Sequence, residues 1–190
     1  MSVSRRNLLH MSGVAFASAA SLSFTARALA APALVGLKQL NVRTLSFDCT
    51  NTGEQLNGVD YWVEGKYVPD ALAEIDDALR DYRSGEVYPI APHLLDLLYQ
   101  LGRRLDTDCQ FELTSGYRSP ETNAELHELD SGVASNSLHM KGQAADITLP
   151  GRPLRKVYET ALAMQIGGVG YYPDDHFVHV DIGRVRRWEG

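Results

Sequence analysis

The sequence predicts an α+β domain in which helices pack against a small, mostly antiparallel sheet. Three observations carry that expectation. Segments of period-2 and period-3.6 apolar patterning alternate irregularly, not as regular βαβ units. Near the C-terminus, residues 167–172 and 177–182 are separated only by the turn Pro173-Asp174-Asp175 and read as a hairpin. The composition is that of a globular chain: 44% hydrophobic and 22% charged over 190 residues, enough for one domain with a real core.

The elements follow in order. Residues 42–47 and 58–64 read as strands, with turn chemistry at Asn51-Thr52-Gly53-Glu54 between them. Residues 70–82 place Leu72, Ile75, Leu79 and Tyr82 on one face of a helix. Pro89 and Pro92 interrupt the chain. Beyond them Leu94, Leu97, Leu98, Leu101 and Leu105 recur at helical spacing, as in a central packing helix. Residues 109–115 read as a strand. Ser119-Pro120-Glu121 then starts a helix with a hydroxyl cap, a proline at the first position and an acid, running to Leu129. A polar loop leads to Ser137. Residues 144–149 form a strand ended by Pro150-Gly151, and 154–164 an amphipathic helix burying Leu154, Val157, Tyr158, Ala161 and Leu162.

Residues 1–30 read as an export signal, leaving 31–190 as the working domain. Arg5-Arg6 form a twin-arginine pair, a weakly apolar run from Leu8 to Phe24 follows, and Ala28-Leu29-Ala30 offers small residues to a signal peptidase. The run is too short and too rich in small polar residues for a stable membrane anchor. Twin-arginine export delivers folded proteins, which predicts a periplasmic location. The signal carries three arginines and no acid, so the formal charge falls by three, from −6 to −9, on its removal. That balance argues against nucleic acid as a partner and gives no attraction to an anionic membrane. Cys49 and Cys109 are the only cysteines; in an oxidising compartment they can pair or stay as buried thiols.

The chemistry concentrates in two segments. Ser137-Leu138-His139-Met140-Lys141-Gly142-Gln143-Ala144-Ala145-Asp146 supplies an imidazole and, seven residues on, a carboxylate. His176-Phe177-Val178-His179-Val180-Asp181 supplies a second imidazole on a strand. Two His and one Asp form a mixed N/O set that suits Zn²⁺ and leaves a fourth position open. An open zinc site is hydrolytic by default, because the metal acidifies water and polarises a carbonyl. Period-2 geometry sends Val178, Val180 and Ile182 to the core and Phe177, His179 and Asp181 to the other face. Asp146, at the start of an apolar strand, needs a partner or a cation. Taken singly, each His also reads as an ordinary hydrogen-bonded residue. His93 and His127 lie on helices and read as surface or packing residues.

Ser-x-His-x(6)-Asp followed by His-Val-Asp, and preceded by Ser115-Gly116-Tyr117-Arg118-Ser119, resembles the zinc peptidases of cell-wall peptide metabolism. That superfamily includes D-Ala-D-Ala carboxypeptidases, the penicillin-insensitive murein endopeptidase and the zinc-bearing hedgehog signalling domain. Within it the chain most resembles the MepK-like (YcbK-like) murein endopeptidases, over about residues 45–188, including Gly168-Val169-Gly170-Tyr171-Tyr172 and Gly183-Arg184-Val185-Arg186. The resemblance implies a zinc site of His139, Asp146 and His179 on the sheet face, with Arg118 near the substrate. A guanidinium there can grip a peptide carboxylate or stabilise an oxyanion; alternatively Arg118 pairs with an acid and locks its turn. Ser137 either orients the ligand loop or touches substrate. Asp181 is placed to hold the His179 ring in one tautomer. The carboxypeptidase relatives carry a general-base Glu three residues before the last ligand, where this chain has His176. His176 is thus either the base or a solvated turn residue. Trp62 and Trp188 read as core-closing residues, with a peptidoglycan-lining role open to an exposed Trp. Arg184, Arg186 and Arg187 read as a solvated basic face that can also meet anionic stem peptides.

The expected function is a zinc endopeptidase acting on peptidoglycan stem-peptide cross-links, including meso-diaminopimelate 3-3 links. A D-Ala-D-Ala-type carboxypeptidase and a non-catalytic zinc-containing wall-binding module are the alternatives.

Overall fold

The computed structural model describes residues 41–129 and 133–190. The predicted signal 1–30 and the first ten residues of the expected domain lie outside them. The order of elements is β1 (Val42–Cys49), β2 (Gln55–Val63), β3 (Lys66–Tyr67), α1 (Pro69–Ala78), α2 (Pro92–Arg104), β4 (Gln110–Ser115), α3 (Pro120–Leu129), a 3-10 turn at Leu138–Lys141, β5 (Ala144–Thr148), α4 (Leu154–Met164), β6 (Gly168–Tyr172), β7 (Phe177–Asp181) and β8 (Arg186–Glu189).

The α+β class holds and the sheet is mostly antiparallel, but it is mixed and, with eight strands, not small. Eight strands run in the order β3-β2-β1-β4-β5-β7-β6-β8. β1 pairs with β4 in parallel, because α1 and α2 carry the chain back before β4 begins. β8 pairs with β6 in parallel, passing β7 to reach the sheet edge. The remaining pairs are antiparallel, including the expected β6–β7 hairpin.

One face of the sheet carries the core. Leu45, Phe47, Phe111, Ile147, Val178 and Val180 are sealed there against Leu94, Leu98 and Leu101 of α2 and Val157 and Ala161 of α4. At the 0.8 kcal/mol or so that each buried CH₂ contributes, these aliphatic side chains are the main force holding the sheet beneath the site. Pro69 and Pro92 open α1 and α2, where a missing N–H costs nothing. Trp62 is half-buried under the Arg43 guanidinium, 4.3 Å from its ring centroid.

α1 stops at Ala78, four residues short of the predicted end, and Tyr82 is exposed, not packed. The reason is Asp81. Its buried carboxylate accepts from the backbone N–H groups of Arg83 (2.9 Å) and Ser119 (2.9 Å), pulling the chain out of helical geometry and tying it to the start of α3. Burial pushes the Asp81 carboxyl up, but the hydrogen bonds from Thr122, Ser119 and Arg83 outweigh it and hold the group well below the usual carboxylate range. A depressed folded pKa gives stability that is present above the unfolded value of about 4 and is lost as pH falls below it. Asp81→Asn is therefore expected to lower stability by about 2 kcal/mol near neutral pH. In thermal melts the gap to the wild type should close below about pH 4; a gap independent of pH would assign the loss to packing.

Cys49 and Cys109 are both buried free thiols. Cys49 lies opposite Leu113, whereas Cys109 precedes Gln110, the partner of Ser46. The two therefore sit about four residues apart along a parallel pair, on the order of 13 Å and beyond disulfide reach. Burial pushes the Cys49 thiol up to about 11, an inert thiol.

Candidate active site

The register of three strands assembles the site. Asp146 on β5 pairs directly with His179 on β7, and Ser115 on β4 pairs with Asp146. Val178 and Val180 go into the core, so His179 is presented on the opposite face, as the period-2 reading requires. His139 comes from the 3-10 turn. Ser137 caps that turn, its Oγ accepting from the His139 N–H at 3.3 Å. Gly142 ends the turn at φ 61°, and a Cβ there would collide with the Pro89 carbonyl oxygen, so only glycine lets the loop pass into β5. The loop is fastened to the 115–118 segment by the Arg118 N–H, which donates to the His139 carbonyl at 3.3 Å.

Each imidazole is held from behind. His139 Nδ1 lies 2.7 Å from the Gly116 carbonyl oxygen, an acceptor, so Nδ1 carries the hydrogen. His179 Nε2 lies 3.1 Å from Asp181 Oδ2 and likewise donates. Lone-pair positions then converge: His139 Nε2 to His179 Nδ1 at 3.2 Å, His139 Nε2 to Asp146 Oδ1 at 3.3 Å, and His179 Nδ1 to Asp146 Oδ1 at 2.8 Å. All three residues are buried, and the group can hold a metal ion. A tetrahedral ion with ligands at about 2.0–2.1 Å has ligand–ligand edges of roughly 3.3 Å, which two of the three separations match. Three acceptors this close need a cation or a proton among them.

The electrostatics agree. Burial pushes the Asp146 carboxyl up, but the two imidazoles outweigh it and hold it far below its ordinary range. Burial pushes His179 down, yet hydrogen bonds to Asp146 and Asp181 raise it to about 9. Asp181 is fully buried and held low despite that burial, by His179, Arg186 and the N–H groups of Gly168 and Gly183.

Arg118 Nη2 stands 3.6 Å from Asp146 Oδ2, and its other contacts, to Asn123 Oδ1 (3.4 Å) and Ser115 Oγ (3.5 Å), are equally long. The guanidinium is mostly buried but loosely held. It lines a cavity of about 140 Å³ with Tyr82, Arg83, Ser115, Tyr117 and Asp146. A larger hollow of about 330 Å³, between α4 and β8, is lined by Arg187 and Trp188 but by none of Arg118, Ser137, His139, Asp146, His176, His179 or Asp181.

His176 is exposed at the end of the β6–β7 turn, with φ at 61°. The structure does not bring it into the His139–Asp146–His179 group. His93 and His127 are exposed on α2 and α3, as expected of surface residues. Three features of the site escaped the sequence reading. The Gly116 carbonyl is a backbone atom with no residue signature. Arg186, read as a solvated cation, instead pairs with Asp181 at 2.7 Å. Trp188, read as core-closing, stands half-buried over the site with its ring 5.2 Å from that of His179.

Fold and site define a class: an α+β domain whose sheet face holds a buried His–Asp–His group, able to bind a divalent cation, beside an arginine-lined cavity. A peptidase M15 family profile, described as peptidoglycan L,D-endopeptidase MepK, matches residues 38–188. The chain is 40% identical over 184 residues to the peptidoglycan L,D-endopeptidase MepK of Escherichia coli K12, covering 97% of this chain and 96% of that protein. It is 41% identical over 149 residues to the probable peptidoglycan L,D-endopeptidase MepK of Haemophilus influenzae, covering 78% and 80%. The chain belongs to the MepK family of M15 peptidases.

Proposed function

We propose that this protein is a zinc-dependent peptidoglycan endopeptidase that hydrolyses amide bonds in stem-peptide cross-links. The observation that carries the reading is the convergence of His139 Nε2, Asp146 Oδ1 and His179 Nδ1, each imidazole with its other hydrogen committed outward. These three residues would hold the zinc, which when bound supplies Lewis-acid polarisation of a carbonyl and acidifies water. The relatives' names support a peptidoglycan substrate and an L,D bond, for which the meso-diaminopimelate 3-3 link is the proposed case.

The chain's own residues have distinct tasks in this reading. Arg118, loosely held beside Asp146, grips a substrate carboxylate or the oxyanion that forms at the scissile carbonyl. His176, exposed outside the ligand group just before β7, would act as base, taking a proton from the attacking water and returning it to the leaving amine. Asp181 fixes the His179 tautomer, and Ser137 fixes the His139 loop. Residues 1–30 direct twin-arginine export, so the enzyme works in the periplasm on the wall itself.

The test is digestion of cross-linked muropeptide dimers by purified protein, with and without a zinc chelator, beside His139→Ala. The expected result is loss of dimers that the chelator and the substitution both prevent, with fragment masses identifying the bond. Release of terminal D-Ala alone would instead make the protein a carboxypeptidase. Stoichiometric zinc with intact dimers would make it a non-catalytic wall-binding module.

A further inference from the structure

β8 lies at the sheet edge, and its Arg186 and Trp188 both bear on His179. Arg186 forks over Asp181: Nη2 to Oδ2 at 2.7 Å and Nη1 to Oδ1 at 3.1 Å. Asp181 has no solvent access. Its Oδ1 also accepts from the Gly168 N–H at 2.9 Å and the Gly183 N–H at 2.8 Å, and its Oδ2 accepts from His179 Nε2. A buried carboxylate needs such compensation, and Arg186 is its charged partner. With every lone-pair direction engaged, the carboxylate cannot rotate, and neither can the imidazole bonded to it.

Trp188 packs against the same ring, 5.2 Å between centroids. Its indole occupies the space that a Cβ at position 170 would fill, so Gly170 lets it settle beside His179. The indole N–H donates to the Tyr172 hydroxyl at 2.8 Å, fixing the ring plane. The Arg186 guanidinium lies 4.9 Å from the Trp188 ring centroid, so one side chain steadies both supports.

We infer that Arg186 is a positioning residue: through Asp181 and Trp188 it locks the His179 imidazole in the orientation that receives the metal, and so sets metal affinity. The inference rests on the zinc reading above and adds a residue that reaches His179 through Asp181 and Trp188. A guanidinium suits the task because a single ammonium cannot bridge both oxygens of Asp181 while lying flat on an indole.

The experiment measures zinc affinity by competition with a chromophoric chelator, and KM and kcat on muropeptide dimers, for wild type, Arg186→Met and Arg186→Lys. Circular dichroism checks folding. Arg186→Met is expected to bind zinc about 10- to 100-fold more weakly, with KM within about twofold of wild type once zinc is saturating. Arg186→Lys, which keeps a cation but not the fork, should fall between the two. If Arg186→Met does not fold, Arg186→Lys decides, with weaker zinc binding expected. Unchanged zinc affinity in the folded variant overturns the inference. So does a raised KM with normal zinc affinity, which would make Arg186 a contact for the anionic substrate. A wild type that binds no zinc overturns the zinc reading and this inference together; a wild type that binds zinc while the variants match it overturns the inference alone.

Discussion

Asp146→Ala is expected to lower cleavage of cross-linked muropeptides by at least about 10³-fold, roughly 4 kcal/mol of transition-state stabilisation. Asp146 is the only anionic member of the converging group, and its Oδ1 touches both imidazoles while Oδ2 faces Arg118. Alanine would remove one of the three proposed ligands and the charge that makes the group attractive to a dication. It also leaves the Arg118 guanidinium facing two imidazoles without a counter-charge. The strand itself should survive, because Ala145 and Ile147 on either side are fully buried in unaffected packing and the β5–β7 register is set by backbone bonds. Zinc content measured after dialysis should fall with activity, and circular dichroism should not change. Asp146→Asn separates charge from shape: it keeps an oxygen in place but not the negative charge, and most of the loss should persist. Cleavage within tenfold of wild type in Asp146→Ala would remove this group from the chemistry.

How much of this was legible beforehand depends on how local each feature is. His139 and Asp146 stand seven residues apart in one loop-to-strand passage, and His179 sits in a strand whose valines announce which face is buried. Those features are written in short stretches of chain, and the three residues do come together. That Asp146 lies directly opposite His179 is a matter of strand order, β5 beside β7 with β6 outside, which no local pattern dictates. β8 was invisible for a different reason. Arg186-Arg187-Trp188-Glu189 is short, charged and at the sheet edge, where strands need no apolar alternation. Its residues read as a solvated basic run, and only the fold shows Arg186 turned onto Asp181. A helical apolar period continues through Leu79 and Tyr82 and hides the end of α1, while the buried Asp81 between them takes the Arg83 and Ser84 N–H groups that a further turn of helix would need. His176, which the resemblance leaves as either a base or a solvated turn residue, is exposed with a left-handed backbone that no local pattern announces.

Arg118→Ala is expected to lower kcat by about 10²- to 10³-fold while zinc binding and fold are kept. The guanidinium is 14% exposed and its nearest polar contacts are all 3.4–3.6 Å away, too long for a structural lock. A buried cation held this loosely is poised to shorten its bonds when a stronger acceptor arrives, and the cavity beside it admits one. Kinetics separate the two acceptors available. An oxyanion exists only as the transition state is approached, so losing its donor lowers kcat with KM little changed. A free carboxylate is present from first binding, so losing its clamp raises KM instead. Arg118→Lys refines the division: a point charge can still meet an oxyanion but cannot pair with both oxygens of a carboxylate. The third reading, Arg118 as a lock on its own turn, predicts a lower melting temperature and normal turnover by the folded fraction. Activity of Arg118→Ala within about threefold of wild type, alongside that loss of stability, would therefore take Arg118 out of the catalytic machinery and return it to the scaffold.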